Sequence, residues 1–265
     1  MKKLFISADI EGVCGIADWR ETELSDPQSA YFRSQMTREV RAACEGALEA
    51  GVQEIFVKDA HDSGRNLDPS ALPENVRLMR AWTSNPYLMM AGLDASFDAA
   101  MFIGYHSGAG RDGNPLAHTM NTGNTRVLVN GCEASEFLIN AYTAASFGVP
   151  VILVSGDEQL CRSVVGHNPH IKTVAVNEGL GGASTSIHPD LAARLIKRAA
   201  IEAVHDGPAG EFVFPPHFEL EIQFKQHVSA YRGSFYPGAV QKGPLSVGYS
   251  CSKWLDALKF FYFVL

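Results

Sequence analysis

The sequence is poor in the features that mark secreted and membrane-spanning proteins. Its 265 residues include only five cysteines, which are scattered and contain no CxxC pair, so a disulfide framework is not expected. No apolar run approaches the roughly 18 residues of a membrane span. Asp9 interrupts the first apolar stretch after about five residues, too few for the core of a signal peptide. We therefore expect a cytoplasmic protein with no membrane partner.

Positive charge is also scarce, since 22 lysines and arginines face 29 acidic residues and leave a formal net charge of −7. Binding to nucleic-acid phosphates needs clustered basic side chains, so no nucleic-acid partner is expected. The sequence contains neither a GxGxxG segment that opens a helix nor a GxxxxGK(S/T) segment, and its serines lie in no nucleophile-elbow motif. These absences argue against dinucleotide-binding, P-loop and serine-hydrolase chemistry.

Apolar runs and helically spaced apolar residues alternate through most of the chain, which is the pattern of an α/β protein. Strands are predicted at residues 3–8, 53–58, 99–103, 126–129, 149–154 and 172–176. Helices are predicted at residues 29–50, 135–147, 156–165 and 189–205. The first strand, helix and strand form a βαβ unit, so the first two strands should be parallel. We predict an α/β fold with a mainly parallel sheet flanked by helices.

The sequence changes in character near residue 207, where glycine and proline interrupt the alternation of strands and helices. Between residues 218 and 224, apolar and polar residues alternate, as in a half-buried strand of an antiparallel sheet. A last helix is predicted at residues 252–261. We therefore divide the chain into an α/β domain at residues 1–206 and a smaller α+β part at residues 207–265.

Immediately after three of the predicted strands lie four residues whose side chains can bind metal. Asp9 and Glu11 lie two positions apart after the first strand, and His61 and His106 follow two later strands. Residues two apart in a strand point to one face, and ligands bind at the carboxyl ends of parallel strands. Carboxylates and imidazoles are ligands of zinc and manganese, and a divalent cation would remove the repulsion between Asp9 and Glu11. Each residue alone is more often structural, so their shared position carries the prediction.

Glu136 and His118 are weaker candidates because each has an ordinary structural explanation. Glu136 follows Ser135, a good N-cap, and acids are favoured in the first turn of any helix, although a helix start can also aim a carboxylate at a site. His118 lies in a loop that contains glycine and proline, where a histidine often has only a structural role. The other six histidines lack carboxylates at strand ends and are predicted to be structural or on the surface. They are His167, His170, His188, His205, His217 and His227.

Five segments of the chain resemble, in order and spacing, the motifs of the D-aminopeptidase family of metallopeptidases. SADIEG at residues 7–12 resembles the SxDxEG signature of that family, and KDAHDSGRN at residues 58–66 resembles its second ligand loop. FIGYH resembles its third ligand segment, LAHTM its catalytic-histidine loop, and SEFLINAY its GELGxNAY-like segment. The resemblance runs from residue 4 to about residue 160 and continues more weakly beyond. Each motif alone would be weak, whereas five in the correct order are highly specific.

The resemblance implies a dinuclear zinc D-aminopeptidase. Two zinc ions per chain would be bound by five ligands, with Asp9 as the bridge. The ligands are Asp9, Glu11, His61, His106 and Glu136. His118 would be the catalytic histidine, which the family description casts as a nucleophile. The substrates would be short peptides that begin with a D-residue, D-Ala above all, and the family's assemblies are homodecameric rings that enclose the active sites. Ser135 stands where the family often has glycine, and the C-terminal FFYFVL is matched less clearly.

Chemistry alone leaves the role of His118 and the reaction open. No serine or cysteine motif accompanies His118, so it is an acid/base, an oxyanion stabiliser or, less commonly, a nucleophile. Paired metals also serve phosphoryl transfer, although Lys58 and Arg65 are the only nearby cations that could hold a phosphate. A non-catalytic ring protein that binds metal is the third possibility. For ring contacts, the apolar stretches at residues 87–91 and 260–265 are the candidates.

Overall fold

The computed structural model describes residues 1–210 and 212–265, which build twelve strands and six α-helices. The strands are β1 (Lys3–Ala8), β2 (Glu54–Asp59), β3 (Val76–Met79), β4 (Ala99–Tyr105), β5 (Asn124–Val129), β6 (Cys132–Glu133), β7 (Val151–Asp157), β8 (Lys172–Leu180), β9 (Ala183–Ser186), β10 (Phe218–Phe224), β11 (Val240–Gly243) and β12 (Ser246–Cys251). The helices are α1 (Ser29–Glu49), α2 (Glu136–Ser146), α3 (Glu158–His167), α4 (Pro189–Asp206), α5 (His227–Gly233) and α6 (Trp254–Val264). Every predicted strand and helix is present, with ends that differ by a few residues.

Seven strands form a sheet that is parallel except for its last member. Their order is β3-β2-β1-β4-β7-β8-β9, and β9 runs antiparallel to β8. The chain builds outward from β1 in one direction and, after β3, continues from β4 in the other. This reversal puts the topological switch point at β1, where open α/β sheets bind ligands beyond the carboxyl ends of their strands. The predicted α/β class with a mainly parallel sheet is confirmed.

A second sheet is antiparallel and has the order β11-β12-β10-β5-β6. In β10 the apolar residues are buried and the polar residues between them are more exposed, as the alternating pattern predicted. This sheet draws β5 and β6 from residues before the predicted boundary near residue 207, and β5 pairs with β10 from beyond it. The two predicted parts thus share one sheet. Their division at residue 207 stays a prediction.

Alternate side chains of the central strands face two hydrophobic layers. Leu4 and Ile6 of β1 pack with apolar residues of α1 and α4 on one side of the first sheet. Phe5 and Phe102 face the other side, where α2 contacts β4 and α6 contacts both α2 and the second sheet. Burial on both faces makes these strands continuous apolar runs, which is why the sequence revealed them.

Two general features of the chain accompany this fold. The five cysteines are all free, and Cys132 is the exposed one. None of the helices in the described part of the chain is long and apolar enough to cross a membrane.

Candidate metal centre

Six side chains meet at the carboxyl edge of the first sheet. Three adjacent strands, β2, β1 and β4, deliver four of them from the turns that follow each strand. The other two come from the loop between β4 and β5 and from the first turn of α2. The six are Asp9 and Glu11 after β1, His61 after β2, His106 after β4, His118 in the loop and Glu136 in α2. The structure thus brings together every residue that the sequence analysis selected for the site.

The turn after β1 differs from the predicted geometry. We expected Asp9 and Glu11 to be alternate positions of one strand, but β1 ends before Asp9, and Glu11 lies in the tight turn that follows it. Gly12 makes the turn possible, because its N–H donates to the Gly104 carbonyl at 2.9 Å. A Cβ at Gly12 would lie 1.7 Å from the Tyr105 carbonyl oxygen, so only glycine allows this approach. The turn therefore holds Glu11 beside the end of β4.

Asp9 belongs to two groups of possible ligand atoms. Its Oδ1 lies 3.4 Å from Nδ1 of His61, and the same Nδ1 is 3.1 Å from Oε2 of Glu11. Its Oδ2 lies 3.5 Å from Nε2 of His106, and that Nε2 is 3.5 Å from Oε2 of Glu136. Within each group the ligand atoms lie within 4.8 Å of one another. Because the two groups share Asp9, its carboxylate could bridge two cations.

His61 and His106 each have one ring nitrogen beside a backbone carbonyl. Nε2 of His61 is 3.2 Å from the Thr22 carbonyl oxygen, and Nδ1 of His106 is 2.9 Å from the Ser107 carbonyl oxygen. A carbonyl oxygen only accepts, so in the neutral imidazole this nitrogen carries the proton and donates it. The opposite nitrogen then presents its lone pair to the carboxylates, which is the orientation of a metal-binding imidazole.

His118 lies over His106 on the side of the cluster that is open to solvent. Their rings stack with centroids 4.4 Å apart, and Nδ1 of His118 is 2.9 Å from the Leu116 carbonyl oxygen. Its Nε2 therefore faces the cluster, 3.5 Å from Oε1 of Glu136 and 3.9 Å from Oε1 of Glu11. Glu11, His106 and His118 also form a third group of possible ligands. His118 could therefore act on the substrate or serve as a further metal ligand, and a His118 variant is needed to separate these two roles.

Glu136 is placed by the start of α2. The hydroxyl of Ser135 accepts from the Leu138 N–H and caps the helix, as the sequence predicted. Oε1 of Glu136 accepts a hydrogen bond from the N–H of Met120 at 2.7 Å. This bond ties the first turn of α2 to the loop that carries His118. The N-cap residue Ser135 and the carboxylate of Glu136 are therefore adjacent at the start of α2.

Burial and mutual charge set the protonation of the cluster. Burial, and then the charge of Glu11, raises the pKa of Asp9 well above its usual value. Burial would also raise the pKa of Glu136, but the neighbouring His106 outweighs it and lowers that pKa to about 2. Burial would lower the pKa of His61 and of His106, but the nearby carboxylates raise both well above the usual value. Binding of a cation would therefore release protons from this cluster.

Three atoms of the cluster suit a cation better than a hydrogen bond. They are Oδ2 of Asp9, Oε2 of Glu11 and Nε2 of His106, all buried and, within residues 1–210 and 212–265, without a hydrogen-bond partner of good geometry. Buried polar atoms are rarely left unpaired in native proteins. Carboxylate oxygens and imidazole nitrogens form the donor set of zinc. The residues present therefore fit bound zinc.

Two buried aspartates that sequence reasoning missed hold the turns that carry candidate metal ligands. Asp59, the last residue of β2, accepts from the backbone and side chain of Asn66, and Nδ2 of Asn66 also donates to the His61 carbonyl. Asp157, the last residue of β7, accepts from the N–H and the hydroxyl of Ser107, the residue after the candidate ligand His106. Both are acids at the end of an apolar run, and that position was the signal that could have identified them.

A cavity of about 510 Å³ opens over the cluster. Its floor is acidic, and its walls are mainly apolar, with contributions from Trp19, Trp82, Met89, Phe261 and Tyr262. Among the described residues, neither lysine nor arginine lines it. A cavity of this size and lining accepts a short peptide or a small amide rather than a folded chain.

A mainly parallel sheet that gathers carboxylates and histidines at its carboxyl edge, below a peptide-sized cavity, defines a metal-dependent hydrolase of the α/β class. The sequence model of the D-aminopeptidase family matches residues 1–263. The chain therefore belongs to the D-aminopeptidase family, and it is an aminopeptidase of the hydrolase class. The resemblance described from its five motifs is confirmed.

Two relatives extend this comparison. The D-aminopeptidase of Bacillus subtilis (strain 168) is 28% identical over 260 residues, which cover 96% of this chain and 93% of the relative. A solved structure of the Zn-dependent D-aminopeptidase DppA from Bacillus subtilis, a self-compartmentalizing protease, matches with a TM-score of 0.92. The two are 26% identical, and the match covers 99% of this chain and 96% of that one. The fold is therefore shared over almost the whole length.

Proposed function

We propose that the chain is a dinuclear zinc D-aminopeptidase that releases N-terminal D-residues, with D-Ala preferred, from short peptides. The zinc ligands in this proposal are Asp9, Glu11, His61, His106 and Glu136. The observation that carries it is the sharing of Asp9 between two ligand groups, since its two oxygens face different histidines. The relatives support the proposal, because both are D-aminopeptidases and DppA is Zn-dependent.

A bound zinc pair would supply Lewis acidity toward the peptide carbonyl and would lower the pKa of water. Glu23 and Asp62 also line the cavity and are outside the proposed ligand set, so they remain available to attract the free α-amine of a substrate. Nε2 of His118 faces the same space and can accept a proton from the attacking group and return it to the leaving amine. Stabilisation of the oxyanion by a protonated His118, and direct attack by Nε2, are the alternatives.

The stereochemistry of cleavage tests this function. We expect D-Ala-p-nitroanilide and D-Ala-D-Ala to be cleaved, and the L-Ala counterparts to have kcat/KM lower by about 100-fold or more. That ratio requires about 2.7 kcal/mol of difference in transition-state binding, which a side-chain clash in a shaped cavity can supply. A preference for the L-substrates would remove the D-specific part of the proposal. Hydrolysis of p-nitrophenyl phosphate alone would make the protein a phosphoesterase, against which the scarcity of cations in the described lining already argues.

We also propose that the protein acts in the cytoplasm as a homodecameric ring. The self-compartmentalizing relative supports the assembly, and the free cysteines fit a reducing compartment. For the contact surface we propose α5 and the residues after it, beside the two apolar stretches suggested by the sequence. Met90 and Phe260, in the two predicted stretches, are fully buried in the chain's own core. Phe263 in the second stretch is 67% exposed, and further exposed aromatic side chains lie on and after α5, where Tyr231 and Phe235 pack edge to face.

We expect sedimentation to give a mass of about ten times 28.7 kDa for the assembly. Phe235 is 70% exposed, and Phe235→Asp places a charge on the α5 surface, so this variant should sediment as smaller species. Tyr31→Asp is the matched control, because Tyr31 is an exposed aromatic residue of α1 and should leave the assembly intact. A wild-type monomer at micromolar concentration would contradict the ring. Unchanged assembly of Phe235→Asp would exclude the α5 surface.

A further inference from the structure

One wall of the cavity is an indole ring that is held on its edge and on one face. Nε1 of Trp82 donates to the Asp62 carbonyl at 2.5 Å. Nζ of Lys58 lies 4.3 Å from the ring centroid and also donates to the Ala81 carbonyl at 2.9 Å. A cation over an aromatic face is attracted by the ring quadrupole, so Lys58 fixes the rear face. Trp82 is 38% exposed and lines the cavity, so the face turned away from Lys58 is the one open to a ligand.

The backbone around this indole is strained and fastened on both sides. Ala81 and Ser84 have φ values of 59° and 58°, a left-handed conformation that costs free energy in residues other than glycine. The Ala81 N–H donates to the Gly64 carbonyl at 2.7 Å, which joins the segment to the turn after β2. On the other side, the hydroxyl of Tyr262 donates to the Ser84 carbonyl at 3.3 Å. Such strain persists where the surroundings over-determine a position, and it clusters at functional sites.

The position of Trp82 in the cavity indicates which part of a substrate it meets. The carboxylates of the floor are buried, with Asp9 2% and Glu136 3% exposed, whereas Trp82 is 38% exposed. An aminopeptidase substrate must enter with its amine first, because the rest of the peptide continues outward to solvent. A side chain nearer the mouth therefore contacts the part of the substrate beyond the scissile bond.

We infer that the free face of Trp82 is the subsite for the residue that follows the scissile bond, and that the enzyme favours a large apolar or aromatic side chain there. This inference rests on the proposed D-aminopeptidase function and specifies its substrate class. Trp19, the other indole of the cavity wall, packs edge to face on His118 with centroids 5.2 Å apart. Its removal would disturb His118 directly, whereas Trp82 reaches the cluster only through the Asp62 carbonyl beside His61, so Trp82 is the residue to test.

Two neutral substrates that differ in one side chain test the inference. They are D-Ala-glycinamide and D-Ala-phenylalaninamide, the latter prepared with L-phenylalanine and with D-phenylalanine. Both lack a free carboxylate, so the comparison reports apolar contact alone. We expect wild-type enzyme to cleave the preferred phenylalaninamide with kcat/KM about 10-fold to 100-fold above that of the glycinamide, the range that burial of one apolar side chain supports.

In Trp82→Ala this ratio should fall to within about threefold of unity, because the glycinamide has no side chain to contact the indole and therefore loses less kcat/KM than the phenylalaninamide. Trp82→Phe should retain most of the preference, and it serves as the second variant if the alanine variant folds poorly. Leu255→Ala is the matched control, since Leu255 is equally exposed at 38% on α6 and should keep the full ratio. A wild-type preference for the glycinamide, or an unchanged ratio in Trp82→Ala, would overturn the subsite while leaving the proposed function in place. Failure of wild-type enzyme to cleave any of the amides would overturn both.

Discussion

Replacement of Asp9 by asparagine should deprive the protein of metal and of activity together. Asparagine preserves the size of the side chain but removes the charge that serves both ligand groups. We expect kcat/KM for D-Ala-p-nitroanilide to fall by about 10³-fold or more, since metal catalysis is worth several kcal/mol and each 1.4 kcal/mol is tenfold in rate. Metal content and kcat/KM, measured on the same preparation, check the prediction.

The Asp9→Asn variant should nevertheless fold. Burial and the neighbouring Glu11 raise the pKa of Asp9, so the aspartate is unfavourable in the absence of a cation, and the amide removes this cost. Its unfolding temperature should equal or exceed that of chelator-treated wild type. Asp206→Asn is the matched control, because it removes an exposed acid at the end of α4 and should change neither metal nor activity. Full metal content in Asp9→Asn would contradict the bridge.

His118→Ala should retain near-normal metal content while turnover falls by about 100-fold or more. This is the scale of a positioned acid/base or oxyanion donor, and KM should change much less because the interaction is made mainly in the transition state. The measurement combines elemental analysis with steady-state kinetics. Glu136→Ala provides the contrast, because loss of a ligand should remove metal and activity together.

A surface histidine controls for the substitution itself. His205 is exposed in the last turn of α4, and His205→Ala should behave as wild type in both measurements. Loss of metal in His118→Ala would reassign His118 to the third ligand group, with Glu11 and His106. Wild-type turnover in His118→Ala would mean that the loop between β4 and β5 has only a structural role.

The approach of the segments that carry the candidate ligands was predictable, because strand direction and sequence order determine it. Asp9, His61 and His106 each follow an apolar run, and parallel strands put such positions at one edge of the sheet. The stacking of His118 on His106 and the approach of Glu136 to the cluster were not predictable from the chain alone. They depend on the packing of α2 and of a long loop, which no local pattern encodes. The family resemblance, rather than periodicity, selected these two residues.

The elements that sequence reasoning missed are short, exposed or paired over long distances. β3 has four residues, none of them fully buried, at the edge of the first sheet. β9 contains alanine, serine and threonine that are mostly exposed, so it has no apolar alternation, although the Gly181-Gly182 pair before it is a hairpin signal that was overlooked. The pairing of β5 with β10 joins residues almost a hundred positions apart, and no local preference specifies such a partner.

The zinc content of wild-type protein purified without chelator, measured beside Asp9→Asn, is the most direct test of the central claim. The account predicts about two divalent ions per chain in the wild type, mainly zinc, and fewer than about one in the variant. It also predicts that a strong chelator removes the activity of the wild type toward D-Ala-p-nitroanilide and that added zinc restores it. Fewer than about one ion per wild-type chain, with activity unaffected by the chelator, would contradict a dinuclear centre.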